Sequence, residues 1–223
     1  MNRLLLALPL LSMGVAAMAQ MPPSLDEIAA YEGLHAAAHA GDVTTIRRLA
    51  EAGADLDGRD GRERTPAHVA AFASNDDALR ALAGAGADMN ALEHQAYDVV
   101  TIAAVANDVA LLESALELGN RADLVTSPYD GTALIAAAHL GHHEVVARLI
   151  EGGAPLDHVN NLGWTALMEA VVLGDGGPAH QRTVALLLEA GADASIADNA
   201  GVTPLEHARG RGFDAIAALL EAP

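Results

Sequence analysis

Ten histidines and 30 acidic side chains in 223 residues make metal binding the first chemistry to test. His139, His142 and His143 stand closest together. A zinc site on a helix needs two rings leaving one face, three or four residues apart, with a carboxylate or third ring to complete the tetrahedron. His142 and His143 are adjacent, so on a helix their rings diverge, and Gly141 puts His139 across a turn. No metal site is expected from them.

Nucleophilic and acid-base chemistry finds no better support. The chain has no cysteine, so it offers no thiolate, forms no disulfide and cannot take a lipid on an N-terminal cysteine. It carries no Gly-x-Ser-x-Gly elbow, no His-Glu-x-x-His pair and no phosphate loop. Gly174-Asp175-Gly176-Gly177 is Gly-rich, but it follows a helical pattern and has no adjacent Lys, which suits a turn rather than a nucleotide cradle. Carboxylates this numerous fall close together by chance, which is weak ground for acid-base catalysis. The expectation is a protein that is not an enzyme and holds no cofactor.

Charge narrows the partners. The formal net charge is -18, a field that repels phosphate backbones and anionic headgroups. Nucleic acid and bare membrane are therefore excluded in favour of a protein with a basic surface, although the charge also serves solubility. With 52% hydrophobic but only 3% aromatic residues, the core must be built from Ala and Leu. Those residues favour helix over sheet.

The first 19 residues read as an address. Arg3 supplies a positive charge, Leu4 to Leu11 is apolar apart from Pro9, and Ala17-Met18-Ala19 is a small-x-small cleavage site. The stretch is shorter than the roughly 20 residues that span a bilayer. A signal peptide over 1-19 predicts a periplasmic or secreted protein, cut near Ala19, with no membrane insertion afterwards. Residues 20-30 then form a linker and a capping helix, because Ser24-Leu25-Asp26-Glu27 is a capping box.

From residue 31 to 223 the chain repeats itself. Glu51-Ala52-Gly53-Ala54-Asp55 returns as Gly84-Ala85-Gly86-Ala87-Asp88, Glu117-Leu118-Gly119-Asn120-Arg121, Glu151-Gly152-Gly153-Ala154-Pro155 and Glu189-Ala190-Gly191-Ala192-Asp193. The central glycines are 33, 33, 34 and 38 residues apart, a period that means stacked supersecondary units. In each unit a Thr or Asp caps a first helix. Gly41, Ser74, Asn107, Gly141 or Gly212 then turns the chain into a second, where Val145, Val146, Leu149 and Ile150 follow helical spacing. One hairpin cannot bury its own apolar stripe, so the units must stack, and a break in the middle should cost more than one at an end.

Thr65-Pro66-Ala67-His68-Val69-Ala70 and Thr203-Pro204-Leu205-Glu206-His207-Ala208 open two of the units, with Thr132-Ala133-Leu134 and Thr165-Ala166-Leu167 opening two more. These phrases resemble the Thr-Pro-Leu-His-x-Ala of the ankyrin family. The first unit (Leu34-His35-Ala36-Ala37) and the third (Asp98-Val99-Val100-Thr101) match it least. The resemblance implies an all-α ankyrin-repeat solenoid of about six helix-turn-helix repeats with short hairpin-like loops. It also implies that His35 and His68 bond to backbone in the neighbouring loop, and that proteins dock on the inner-helix face.

Alignment of the fifth unit places five extra residues at Asp175-Gly176-Gly177-Pro178-Ala179, before His180. Glycine and proline predict a projecting turn there, free to recognise a partner or merely to repack on the next repeat. The candidate partner-binding residues are Tyr97, Tyr129, Asp130, Trp164, Met168, Asp175, His180 and Gln181. The phrase from Gly163 to Gln181 is similar to that of small ankyrin proteins exported by proteobacteria. That likeness implies a monomeric periplasmic scaffold supporting a catalase or oxidative-stress defence. The alternatives are an immunity protein against a basic periplasmic toxin and a metal or small-ligand binder.

Overall fold

The computed structural model describes residues 20-222; Pro223 and the segment 1-19, read as a signal peptide, lie outside the described residues. A short helix α1 (Leu25–Ala30) is followed by six helical hairpins: α2 (Gly33–Ala40) with α3 (Val43–Glu51), α4 (Pro66–Phe72) with α5 (Asp76–Ala85), and α6 (Val99–Ala106) with α7 (Val109–Glu117). Then come α8 (Ala133–Leu140) with α9 (His143–Glu151), α10 (Ala166–Val172) with α11 (Pro178–Glu189), and α12 (Pro204–Gly210) with α13 (Asp214–Glu221). The first helices of successive hairpins pack on one another in an inner layer, and the second helices do the same in an outer one. No helix of the described residues is long and apolar enough to cross a membrane.

The capping residues start the inner helices where the repeat phrase begins. The Thr132 hydroxyl accepts from the Ile135 amide, Thr165 from Met168 and Thr203 from Glu206, while Asp98 does the same for Thr101 in the third repeat. The inner-to-outer turns place Gly41, Gly141 and Gly212 at φ 69°, 70° and 70°, and Ser74 and Asn107 at 50° and 56°. At Gly141 two causes coincide. The φ is left-handed, and a Cβ would sit 3.1 Å from the His180 ring.

Alanine lets the layers approach. Ala70, Ala103, Ala137, Ala170 and Ala208 are fully buried, as are Leu79, Leu82, Leu111, Leu112, Val145, Val146, Leu149, Val184 and Leu187 on the outer helices. At the ends the core thins: α3 buries only Ile46, and α13 only Ile216 and Ala217. The first hairpin is covered instead by polar chemistry. Arg64, fully buried, donates to Asp60 Oδ2 at 2.7 Å and to Glu27 Oε1 of α1 at 2.6 Å, and the Tyr31 hydroxyl donates to the same Asp60 oxygen at 2.7 Å. The Ser24 amide, helped by Arg64, holds the Glu27 carboxyl down at about 2.

The inserted segment departs from the projecting turn expected of it. Pro178 and Ala179 belong to α11, with Pro178 in the first turn where its missing N–H costs nothing. Only residues 173-177 make the turn, and α11 is 12 residues long where α7 and α9 have 9.

Candidate functional site

Between one hairpin and the next the chain extends into a loop, and one acceptor per loop folds it back. Asp60 Oδ1 takes the amides of Arg62 and Arg64, and Asn160 Oδ1 those of Leu162 and Trp164. Glu93, Ser127 and Asp198 act alike on residues two and four ahead. The loops are also joined in series: the His94 amide donates to Arg62 O, Ser127 to Ala96 O and Asn161 to Tyr129 O. Val125–Thr126 and Gly131–Thr132 pair antiparallel in the middle loop as strands β1 and β2. The row is thus a continuous wall facing the inner helices.

The opposite edge, where inner helices turn into outer ones, is held by a second series. Helix C-termini leave carbonyls without partners, and the following repeat supplies donors. Asn75 Nδ2 donates to Ala38 O and His39 O, the His142 ring to Ala104 O at 3.0 Å, and the His180 ring to His139 O at 2.9 Å. Arg211 donates to Val172 O and to Gly174 O. The extra length of α11 delivers His180 to the position that Asn75 and His142 occupy in their repeats.

A groove lies between the loop wall and the inner helices of the third to fifth repeats, with a cavity of about 80 Å³. Ile135 and Ala136 of α8 and the ring of Tyr97 form its apolar walls. Leu162 and Leu173, each 43% exposed, flank the mouth with Tyr129. The polar floor is a chain of three side chains. Asn160 Nδ2 donates to Glu169 Oε1 at 2.8 Å, and His139 Nδ1 donates to Glu169 Oε2 at 3.2 Å. Glu169 is almost wholly buried. The Nε2 of His139 bonds to none of the described residues.

The sequence candidates are scattered relative to this groove. Tyr97 and Tyr129 line it, and Asp130, exposed, belongs to the same loop as Tyr129. Met168 is fully buried, so it packs the core and presents nothing to a partner. Trp164 is half-buried. His180 is 8% exposed and occupied at both ring nitrogens, by His139 O and by Asp175 Oδ1 at 2.8 Å. Asp175 also accepts the Gly177 amide, which, with His180, holds its carboxyl below the usual range. Gln181 donates to Gly176 O, and the Phe213 ring lies against Gly176. The inserted segment is therefore knitted into both neighbouring repeats.

Seven of the ten histidines have hydrogen-bonded ring partners among the described residues. His35 and His68 donate through Nε2 to Arg64 O and Tyr97 O at 3.0 and 3.1 Å. Burial drives the His68 pKa down to about 4, so the neutral ring accepts the Thr65 amide through Nδ1. Among the described residues no group of three or more His, Cys, Asp and Glu is placed to hold a metal ion. Asp98 is buried with Oδ2 unpartnered, and desolvation raises its pKa.

Sequence reasoning missed Asn160, Leu162, Glu169 and Leu173. The loop acceptors at 60, 93, 127, 160 and 198 are 33, 34, 33 and 38 residues apart, close to the 33, 33, 34 and 38 of the glycines, so Asn160 could have been found that way. Nothing in the spacing separates Leu162 and Leu173 from core leucines.

A family model described as ankyrin repeats (3 copies) matches residues 13-93 and 100-198. The putative ankyrin repeat protein YahD of Escherichia coli K12 is 36% identical over 185 residues, covering 82% of this chain and 92% of that protein. The crystal structure of an ankyrin repeat domain (ABAYE2397) from Acinetobacter baumannii AYE superposes with a TM-score of 0.78 at 44% identity, covering 84% of this chain and 95% of the other. The ankyrin repeat domain of Bcl-3, described as a unique member of the IκB protein family, also gives 0.78, at 26% identity, covering 87% of this chain and 88% of its own.

Proposed function

We propose, from the premise that this chain belongs to the ankyrin-repeat family, that it is an exported, non-catalytic scaffold binding another protein in the groove between its loop wall and inner helices. Ankyrin repeats mediate protein-protein interaction, and a stack whose loops are hydrogen-bonded in series binds with little ordering cost. The observation that carries the reading is the groove mouth, where Leu162 and Leu173 are exposed beside Tyr129, with Val125 and Val159 exposed on the same loops. Exposed apolar groups around a formed concavity mark recognition surfaces.

The partner's charge follows from the chain's own. At -18, with no lysine anywhere and no arginine among the groove-lining residues, the surface speeds encounter with a basic protein, and added salt slows it. The signal-like first segment supports an encounter in a periplasm or outside the cell. Support of a catalase and neutralisation of a basic toxin are the two settings the sequence suggests; peroxide sensitivity of a deletion strain supports the first, and killing by sibling cells the second. Affinity capture from periplasmic extract on the purified protein, at low and high salt, tests the scaffold reading. A defined basic protein released by salt is expected, and an empty eluate at both salt concentrations contradicts it.

A further inference from the structure

The groove is specific enough to indicate what enters it. Its accessible space of about 80 Å³ is several times the roughly 10–15 Å³ that one water needs by that measure, room for one inserted side chain rather than a helix face. Ile135, Ala136, Leu162 and Leu173 make the lining largely aliphatic beside the Tyr97 and Tyr129 rings. The one ring edge with a free nitrogen, His139 Nε2, stands at the floor, with its Nδ1 held by Glu169 and Glu169 held in turn by Asn160. Beside the mouth, Asp130 is exposed and its carboxylate bonds to none of the described residues.

Resting on the scaffold reading above, we propose that this groove is an anchor slot for a single leucine or methionine side chain on an extended segment of the partner, with an arginine or lysine beside it for Asp130. The apolar walls remove the anchor from water. His139 Nε2 hydrogen-bonds the segment's backbone, a contact that ring orientation by Glu169 prepares in advance. Asp130 sets the sign of the neighbouring residue. Tyr129 and Leu162 close over the segment from the loop wall, and Leu173 from α10.

The test is selection of random 12-residue peptides on the purified chain, followed by binding of the enriched peptides to variants. The expected peptides carry one Leu or Met within two residues of Arg or Lys. Replacing that Leu or Met with Ala, or filling the slot with Ala136→Phe, weakens binding at least tenfold. Because Ala136 is buried, Leu162→Ser and Leu173→Ser serve as second variants on exposed positions, and they should weaken binding likewise while the thermal unfolding midpoint stays put. Leu25→Ser on α1, 84% exposed, should change nothing. Asp130→Asn should reduce the preference for the basic neighbour without removing the anchor.

Peptides that bind all variants equally overturn the slot but leave the scaffold reading standing, since a protein would still be captured from extract. Peptides without the anchor, or no enrichment over bare resin, also overturn it. Isopentanol raising the melting temperature of the wild type but not of Ala136→Phe, with no peptide selected, would assign the slot to small apolar molecules instead.

Discussion

His180 Nε2 donates to the backbone carbonyl of His139, 2.9 Å away and one repeat earlier. The same bond is made by Asn75 and His142 at their own junctions. His180, although it follows the insertion, is thus a junction staple between the fourth and fifth repeats.

His180→Ala should therefore destabilise the protein by about 1–2 kcal/mol, the cost of leaving a partly buried carbonyl without its donor. His180→Asn, which copies Asn75, should recover part of that loss. Urea unfolding measures both, and partner capture by the folded variants should match the wild type.

Asp98 stands where four other repeats have threonine, and it pays for the exchange with a buried, unpartnered Oδ2. Burial raises its folded pKa above the unfolded value. Ionisation is thus disfavoured in the native state, and this cost is present at neutral pH and disappears below about pH 4. Asp98→Thr, keeping the cap, should raise stability by ~1 kcal/mol or more at pH 7, and the advantage should shrink to nothing on acidification. Thermal melts of both proteins from pH 7 to pH 3.5 check this.

His68 has the opposite linkage. Its folded pKa, about 4, lies below the 6.5 of a free imidazole, so the native state resists protonation. Stability from this group is complete above about pH 6.5 and is lost as pH falls toward 4, by roughly 3 kcal/mol. The wild type should lose thermal stability between pH 6.5 and 4.5. His68→Gln should begin lower at pH 7.5, and the gap should narrow across that interval.

Leu111→Ala, in the third repeat, should cost about 2–5 kcal/mol by opening a cavity between neighbours on both sides. Ile216→Ala in the last helix should cost less and leave the preceding repeats folded, because α13 packs only toward the stack. Hydrogen exchange across the chain distinguishes global from terminal opening.

The repeat was legible because its signals are local. Thr and Asp caps, turn glycines and the 33-residue period each act within one hairpin, and neighbouring hairpins obey the same rules. Even the unmatched third repeat was readable, since Asp98 supplies the cap that threonine supplies elsewhere. The insertion was misjudged because Gly177-Pro178 reads equally as a breaker and as a helix start, and the choice is made by His180 reaching His139 O across the junction. The groove was the least legible part. Tyr97 and Tyr129 stood among the sequence candidates and line the groove, whereas the roles of Glu169, Leu162 and Leu173 depend on loops meeting helices from three repeats. Met168 was among the partner-binding candidates, yet inner-helix packing buries it.

The central claim is that a protein docks between the loop wall and the inner helices of the third to fifth repeats. Its most direct test is the dissociation constant of the captured partner for wild type, Leu162→Ser with Leu173→Ser, and an outer-helix control, Arg80→Ala with Glu117→Ala. The account predicts at least tenfold weaker binding for the groove pair and no change for the control. Equal binding by all three, or loss confined to the outer-helix pair, would contradict it.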